Sequence, residues 1–106
     1  MENVKDTLSK RGEVYGSFEV GTTGFAGIIT NLKTIFFDKN GRYPEELEFL
    51  PIYYLVMKLV RLGATPDHID TWHDIQGYAK LTEDMYKKSG TVLTEEEFYK
   101  KCKEIK

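Results

Sequence analysis

The sequence predicts an all-α protein: a compact bundle of about five helices, built on a central antiparallel helical hairpin, in one domain over residues 1–106. Apolar residues recur three and four positions apart through residues 25–36, and residues 52–62 are apolar almost all round. Proline, glycine and helix-capping patterns separate these runs. The one short β-like stretch, residues 90–93, is too short to predict a strand.

The first half of the chain predicts two helices. Residues 2–11 have Val4 and Leu8 one turn apart, and the glycines that follow at 12 and 16 predict a loop or a sharp turn. Helical spacing resumes at about Thr22 and ends at Asn40-Gly41. Two glycines inside this second helix, Gly24 and Gly27, lower its helix propensity and predict close packing of another helix or a ligand.

The third helix begins near Pro44-Glu45-Glu46, because proline and acidic residues favour the first turn. Pro51 predicts an interruption or a restart, since an interior proline removes one helical hydrogen bond. Residues 52–62 then have almost no polar face, so we expect them to form the most buried helix.

The fourth helix has a predicted cap at Asp67 with Asp70 as its acidic partner, and it should end at Ser89-Gly90. Its expected core-facing side chains are Trp72, Ile75, Ala79 and Met85. Thr94 with Glu97 forms a capping-box pattern that opens a last helix containing Ile105.

The composition excludes several classes of function. The net charge is −2, so no global field would hold nucleic acid or an anionic membrane, and neither is an expected partner. The single cysteine, Cys102, forbids an intramolecular disulfide and suits a reducing compartment. No signal pattern or membrane-length apolar run is present, which favours a cytoplasmic protein.

Four charged residues in the apolar hairpin are the main functional candidates. Lys58 and Arg61 lie three apart on the third helix, and Asp70 and Asp74 lie four apart on the fourth. An antiparallel pairing places Arg61 near Asp70 and Lys58 near Asp74. One interpretation is two structural ion pairs, because buried charges persist only with partners. The other is a phosphate site at the two bases with Mg²⁺ at the two aspartates.

Three further residues extend the second interpretation. Arg11 and Tyr15 flank a flexible turn and suit a phosphate and a base or sugar, although an N-terminal arm packing Tyr15 on the bundle is an equal alternative. His68, with His73, also permits a transition-metal site, but the ligand set is incomplete. The load of aromatic residues, 13% of the chain, makes a homo-oligomer plausible.

The hairpin residues resemble a group of small phage and prophage proteins, mostly of unassigned function. The pattern of that group is Lys-x-x-Arg-Leu, then Pro-x-His-x-Asp-Ser-Trp-x-Asp-x-x-Gly-Tyr-Ala. This chain follows it from Lys58 to Ala79 with Thr71 in place of the serine, and the segment Arg11…Tyr15-Gly16 matches further upstream. This group is distantly similar to the all-α nucleoside triphosphate pyrophosphohydrolases of the MazG type. The resemblance implies a dimer or tetramer and Mg²⁺ held by acidic pairs on two neighbouring helices.

The resemblance carries over only in part. Asp70 and Asp74 stand where the second acidic pair would be, four apart in place of Glu-x-x-Asp, and would be both the metal ligands and the catalytic residues. Lys58 and Arg61 replace the first pair, Glu-x-x-Glu, which removes metal ligands and adds phosphate-binding charge. The sequence therefore favours binding of a phosphorylated nucleotide over its hydrolysis.

Three functional hypotheses follow from the sequence. The protein is a Mg²⁺-dependent pyrophosphohydrolase, a non-catalytic relative that sequesters a nucleotide in an anti-defence role, or a phage protein that binds a host protein.

Overall fold

The structure is a computed structural model that describes residues 3–104, and this range contains five α-helices and no strand. The all-α class predicted from the sequence is therefore confirmed over these residues. The helices are α1 (Val4–Tyr15), α2 (Phe18–Asn40), α3 (Glu46–Ala64), α4 (Ile69–Ser89) and α5 (Glu95–Glu104). None of the helices in this range has the length and apolar character needed to span a membrane.

The break between α1 and α2 is shorter than the sequence predicts. The α1 helix continues through Gly12 to Tyr15, so only the alternative of a sharp turn is correct. Gly16 makes that turn with a φ of 78°, a conformation that favours glycine, and Ser17 caps the start of α2. As a consequence Arg11 and Tyr15, four residues apart, lie on one face of α1.

The α3 helix is continuous, although Pro51 predicts an interruption. A proline at this position has no N–H to donate to the Leu47 carbonyl, four residues earlier. The hydroxyl group of Tyr86, a buried residue on α4, donates a hydrogen bond to that carbonyl instead. A tertiary hydrogen bond thus replaces the missing helical one and explains how α3 tolerates Pro51.

Most of the later helix boundaries follow the predicted signals. Gly90 ends α4 with a φ of 77°. Thr94 and Glu97 exchange the two hydrogen bonds of a capping box, at 3.1 and 3.2 Å, before α5. The start of α4 differs, because His68 is the N-cap residue and Asp67 is not. Ile105, expected in the last helix, lies outside the described residues.

The α3 helix is the middle helix of an open layer. On one side the Phe36 ring of α2 lies 6.3 Å from the Phe49 ring of α3. On the other side the Tyr54 ring of α3 stacks on the Tyr78 ring of α4, with centroids 5.9 Å apart. The α2 and α4 helices do not pack against each other. The three helices therefore do not close into a bundle.

The α3 and α4 helices form an antiparallel hairpin. Lys58 contacts Asp74, Tyr54 contacts Tyr78 and the Leu47 carbonyl contacts Tyr86, so residue numbers rise on one helix as they fall on the other. At the closed end, the indole N–H of Trp72 donates to the Pro66 carbonyl at 2.8 Å. This hydrogen bond fixes the short connection between the two helices.

The buried core is small. Within residues 3–104 the buried apolar side chains are Ile29, Phe49, Val56 and Tyr86. Val56 is the fully enclosed member of the 52–62 run, while Tyr54, Met57 and Leu59 keep almost half of their surface exposed. The prediction that residues 52–62 form the most buried helix is nevertheless confirmed, because most residues of this run are buried or half-buried, whereas most residues of the other described helices are exposed.

Two packing predictions are wrong for the described chain. On α4 the buried side chains are Thr71 and Tyr86, and the expected core residues Trp72 and Met85 are about half exposed. On α2 a side chain added at Gly24 or Gly27 would meet no described atom within 4 Å, so no other helix packs closely there, and the alternative of a ligand stays a prediction. Both errors have the same cause: the open layer leaves whole helix faces uncovered.

The molecule is elongated, whereas the sequence predicts a compact bundle. Its extents are 57 × 25 × 23 Å and its radius of gyration is 17.4 Å, against about 13 Å for a compact domain of this length. Among the described residues, α5 packs against none of the other helices. The extended layer and the separate last helix together account for this shape.

Candidate functional site

Lys58 and Asp74 form the ion pair that the hairpin register predicts. The Lys58 ammonium lies 3.2 Å from an Asp74 carboxylate oxygen and 5.5 Å from the centre of the Tyr78 ring. The Lys58 side chain is 13% exposed and that of Asp74 is 51% exposed. Lys58 is thus a mostly enclosed base whose charge is already matched by an acid and an aromatic ring.

Arg61, one turn further along α3, has a different partner. No ion pair joins it to Asp70 in the described part of the chain, so the prediction of that pair is wrong. Its guanidinium instead lies 4.7 Å from the centre of the Tyr15 ring. The Thr65 hydroxyl donates to the Val14 carbonyl and so holds the end of α1 against α3. This contact brings Tyr15, and not Asp70, to Arg61.

A cleft opens where α1, α2 and α3 meet, with a volume of about 340 Å³. Both Arg11 and Arg61 line it, although they are fifty residues apart in the chain. Three aromatic side chains, Tyr15, Phe18 and Phe25, form much of the rest of its wall. Two cations and three aromatic rings thus converge on one concave surface.

The cleft is electropositive in a protein that is acidic overall. No aspartate or glutamate lines it within residues 3–104. Neither Arg11 nor Arg61 forms an ion pair with an acidic residue of that range. The first residues of α2, Ser17 and Phe18, also line the cleft, so the partial positive charge of the helix N-terminus adds to the two guanidinium groups. Hydroxyl groups of Ser17 and Thr22 add polar atoms to the wall.

His68 lies behind this wall and not in it. Its Nδ1 is 2.9 Å from the hydroxyl oxygen of Thr71, a buried residue of α4. Its ring meets the Tyr15 ring edge-on, with centroids 6.0 Å apart. In the structure His68 therefore positions Tyr15. The sequence predicts a different role for His68, which is direct contact with phosphate.

Asp70 and Asp74 lie outside the cleft. Asp74 is bound to Lys58, and Asp70 is an exposed residue in the first turn of α4. No group of three or more histidine, cysteine, aspartate or glutamate side chains in the described range is arranged to hold a metal ion. The side chains present do not form a ready metal site, so Mg²⁺ binding at these aspartates stays a prediction.

Sequence reasoning found Arg11, Tyr15 and Arg61 but missed Phe18 and Phe25. Phe25 belongs to the apolar stripe of α2, which is typical of a core residue, and Phe18 lies between the predicted turn and the predicted start of the second helix at about Thr22. Their role depends on how α1 folds back over α2 and α3. The available signal was the spacing of Arg11 and Tyr15, which share a face once α1 is extended past Gly12.

Comparison with protein-family models, with curated proteins and with solved structures found no match to this chain.

Proposed function

We propose that the protein binds a phosphorylated nucleotide in the cleft between α1, α2 and α3. The guanidinium groups of Arg11 and Arg61 bind the phosphate, because each offers several N–H donors in a plane that fits phosphate oxygens. Tyr15, Phe18 and Phe25 supply flat apolar surfaces against which a base packs.

The observation that supports this proposal most is the pairing of two arginines in one cleft that no acidic residue of the described range lines. A structural arginine is usually matched by a carboxylate, as Arg42 is by Glu48, with two contacts at 2.8 and 3.0 Å. Arg61 rests instead on an aromatic ring, and its charge remains available to an anion. Arg11 faces the same space.

The dimensions of the cleft favour a single nucleotide. Its volume of about 340 Å³ lies at the lower end of the usual range for small-molecule sites. A polynucleotide would need an extended basic surface, which a chain with a net charge of −2 does not offer. The ligand class is therefore a mononucleotide whose phosphates reach both arginines.

This arrangement favours binding over hydrolysis. Hydrolysis of the α–β phosphate linkage would need Mg²⁺ at Asp70 and Asp74, the predicted catalytic pair, to polarise phosphate when bound. Asp74 is engaged by Lys58, and neither aspartate lines the cleft. The non-catalytic version, in which the protein sequesters a nucleotide, needs only the groups that the cleft already holds.

The experiment is a calorimetric titration of the wild type and of Arg11→Ala with a panel of nucleoside mono-, di- and triphosphates, with and without Mg²⁺. We expect Arg11→Ala to weaken binding by about 10- to 100-fold, which corresponds to the loss of a charge-assisted contact. Arg42→Ala is the matched control, since it removes the same charge outside the cleft and should leave affinity unchanged.

The other hypotheses have distinct outcomes in the same experiment. Release of pyrophosphate with Mg²⁺, abolished by Asp74→Asn, would support the pyrophosphohydrolase. Absence of affinity for every nucleotide would overturn the proposal and favour binding of a host protein.

A further inference from the structure

A second pairing of a cation with an aromatic ring lies next to the cleft, between α2 and α3. The Lys33 ammonium lies 5.4 Å from the centre of the Tyr53 ring. The Tyr53 ring is tilted by 32° against the Phe25 ring, with centroids 6.3 Å apart. Phe25 lines the cleft, so the aromatic wall of the cleft continues through Tyr53 to Lys33. We refer to Lys33 and Tyr53 as the Lys33 subsite.

The helical spacing places the Lys33 subsite on the same side of α2 and α3 as the cleft. On α3, Tyr53, Met57 and Arg61 occupy successive turns of one face, and the last two line the cleft. On α2, Lys33 follows Phe25 by two steps of four residues. Tyr53 is eight residues from Arg61, or about 12 Å along the helix axis. The subsite therefore extends the cleft at the end away from Arg61.

The Lys33 ammonium has free hydrogen-bonding capacity. Lys33 is half-buried, and it forms no ion pair with an acid of residues 3–104. Lys58, which also lies over a tyrosine ring, differs because it has Asp74 at 3.2 Å. An aromatic ring covers one side of an ammonium group, which carries three N–H donors and no acceptor. The other donors of Lys33 are thus available to acceptor atoms of a ligand.

The contacts of Tyr15 orient a nucleotide in the cleft. The Arg61 guanidinium lies over the Tyr15 ring, and the His68 ring meets Tyr15 edge-on. Tyr15 therefore offers less free surface to a base than Phe18 and Phe25, which also line the cleft. Bases stack on such aromatic side chains. The phosphates thus belong at the Arg61 end, and the base at the end from which the wall leads to Lys33.

We propose that Lys33 recognises the base and selects guanine, an inference that rests on the proposed function of the cleft. A base packed on Phe25 directs its outer edge towards the Lys33 subsite. Lysine donors fit the O6 and N7 atoms of guanine, two adjacent acceptors on one edge. The same edge of adenine carries an amino group, which is a donor and cannot pair with an ammonium group.

The hydroxyl groups of the cleft do not supply this selectivity. Ser17 accepts a hydrogen bond from the Val20 backbone N–H as the cap of α2. Thr22 has a hydroxyl that both donates and accepts, so it fits the edge of either purine. Lys33 only donates, and this makes it the residue that discriminates between the two bases.

The test is a calorimetric titration of the full chain with the triphosphates of guanosine, inosine and adenosine, without Mg²⁺. Inosine keeps O6 and N7 but lacks the amino group of guanine. We expect guanosine and inosine triphosphates to bind alike, and each at least about tenfold more tightly than adenosine triphosphate.

Three variants separate recognition of the base from binding of the phosphate. Lys33→Met keeps an unbranched side chain over Tyr53 but has no donor, so the preference for guanosine should disappear. Lys39→Met removes the same charge from the last turn of α2, outside the subsite, and should keep the preference. Arg11→Ala should weaken the three ligands by the same factor, because they share the phosphates.

Equal affinity of the wild type for guanosine and adenosine triphosphates would overturn the inference and leave nucleotide binding in the cleft intact. A preference for guanosine that survives Lys33→Met would also overturn it. Absence of affinity for all three would overturn the inference together with the proposed function. If Lys33→Met does not fold, 7-deazaguanosine triphosphate decides, because it lacks the N7 acceptor. It should bind the wild type more weakly than guanosine triphosphate, and equal binding would contradict the inference.

Discussion

Lys58 and Arg61 lie three residues apart on α3, yet their surroundings differ in kind. Lys58 points across the hairpin to a carboxylate at 3.2 Å and is mostly enclosed. Arg61 points to the end of α1, rests on the Tyr15 ring and lines a cleft that contains a second arginine. The same helix thus carries one base with an acidic partner, Lys58, and one base, Arg61, that has no acidic partner among residues 3–104.

This difference shows that each of the two interpretations of the charged hairpin applies to a part of the cluster. The structural interpretation accounts for Lys58 and Asp74, since the half-exposed carboxylate of Asp74 neutralises the mostly enclosed ammonium of Lys58. The binding interpretation accounts for Arg61, because its charge has no acid to meet among the described residues. Breaking a structural contact should change stability, and breaking a binding contact should change affinity.

The hydrogen bond from Tyr86 to the Leu47 carbonyl is a purely structural interaction. Its loss should lower the stability more than the other substitutions predicted below. We expect Tyr86→Phe to lower the free energy of unfolding by about 1–3 kcal/mol, because the carbonyl loses the hydrogen bond that replaces the one missing at Pro51. Chemical denaturation measures this directly. Nucleotide affinity should not change.

Two controls sharpen this prediction. Tyr99→Phe removes a hydroxyl from an exposed tyrosine and should not affect stability. Pro51→Ala restores an N–H for the Leu47 carbonyl, so Tyr86→Phe should cost less in that background than in the wild type. An equal cost in both backgrounds would refute the link between Pro51 and Tyr86.

For the ion pair of Lys58 with Asp74 we predict a smaller loss of stability. We expect Asp74→Asn to lower the free energy of unfolding by about 1 kcal/mol, because half of the Asp74 side chain is exposed and solvent screens the pair. Asp70→Asn is the matched control on the same helix and should have no such effect, since Asp70 has no described ion-pair partner. Equal losses for both variants would show that the pair does not explain the change.

The ion pair of Arg42 with Glu48 gives the smallest predicted effect, which is a change of stability with pH. The hydrogen bonds from Arg42, and then the backbone N–H of Glu45, lower the pKa of Glu48 from 4.5 to about 2. A carboxylate with a lowered pKa in the folded state stabilises the protein above its unfolded pKa, and this contribution falls as the pH drops from about 4.5 towards 2.

The measurement is the melting temperature of the wild type and of Glu48→Gln as a function of pH. We expect the wild type to melt at the higher temperature near neutral pH and the gap to close between pH 4.5 and 2. Glu46→Gln, in the same turn of α3, should show no pH-dependent gap. A gap that is constant across this range would mean that Arg42 does not lower the pKa of Glu48.

The sequence predicts the helices well and their arrangement poorly. Gly41, Gly90 and the Thr94 capping box mark helix ends through local chemistry, and each is found where the sequence predicts it. The register of Lys58 with Asp74 follows from a short connection between antiparallel helices. These features depend on residues that are close in sequence.

The remaining errors have causes that are distant in sequence. Pro51 interrupts nothing because Tyr86, thirty-five residues later, bonds the free carbonyl. Arg61 meets Tyr15, and not Asp70, because the Thr65 hydroxyl holds the end of α1 against α3. Neither contact has a local signature, so the sequence could nominate Arg11, Tyr15 and Arg61 as candidates but not show that they share a cleft.

The central claim, that Arg61 belongs to a binding site and Lys58 to the fold, is tested most directly by two matched substitutions, Lys58→Met and Arg61→Met. Each variant is titrated with the nucleotide that binds the wild type most tightly and is also melted without ligand. We expect Arg61→Met to weaken binding by at least about tenfold, or 1.4 kcal/mol, with little change in melting temperature. Lys58→Met should change the melting temperature and leave affinity intact. The reverse result, with Arg61→Met changing only the melting temperature, would contradict the claim.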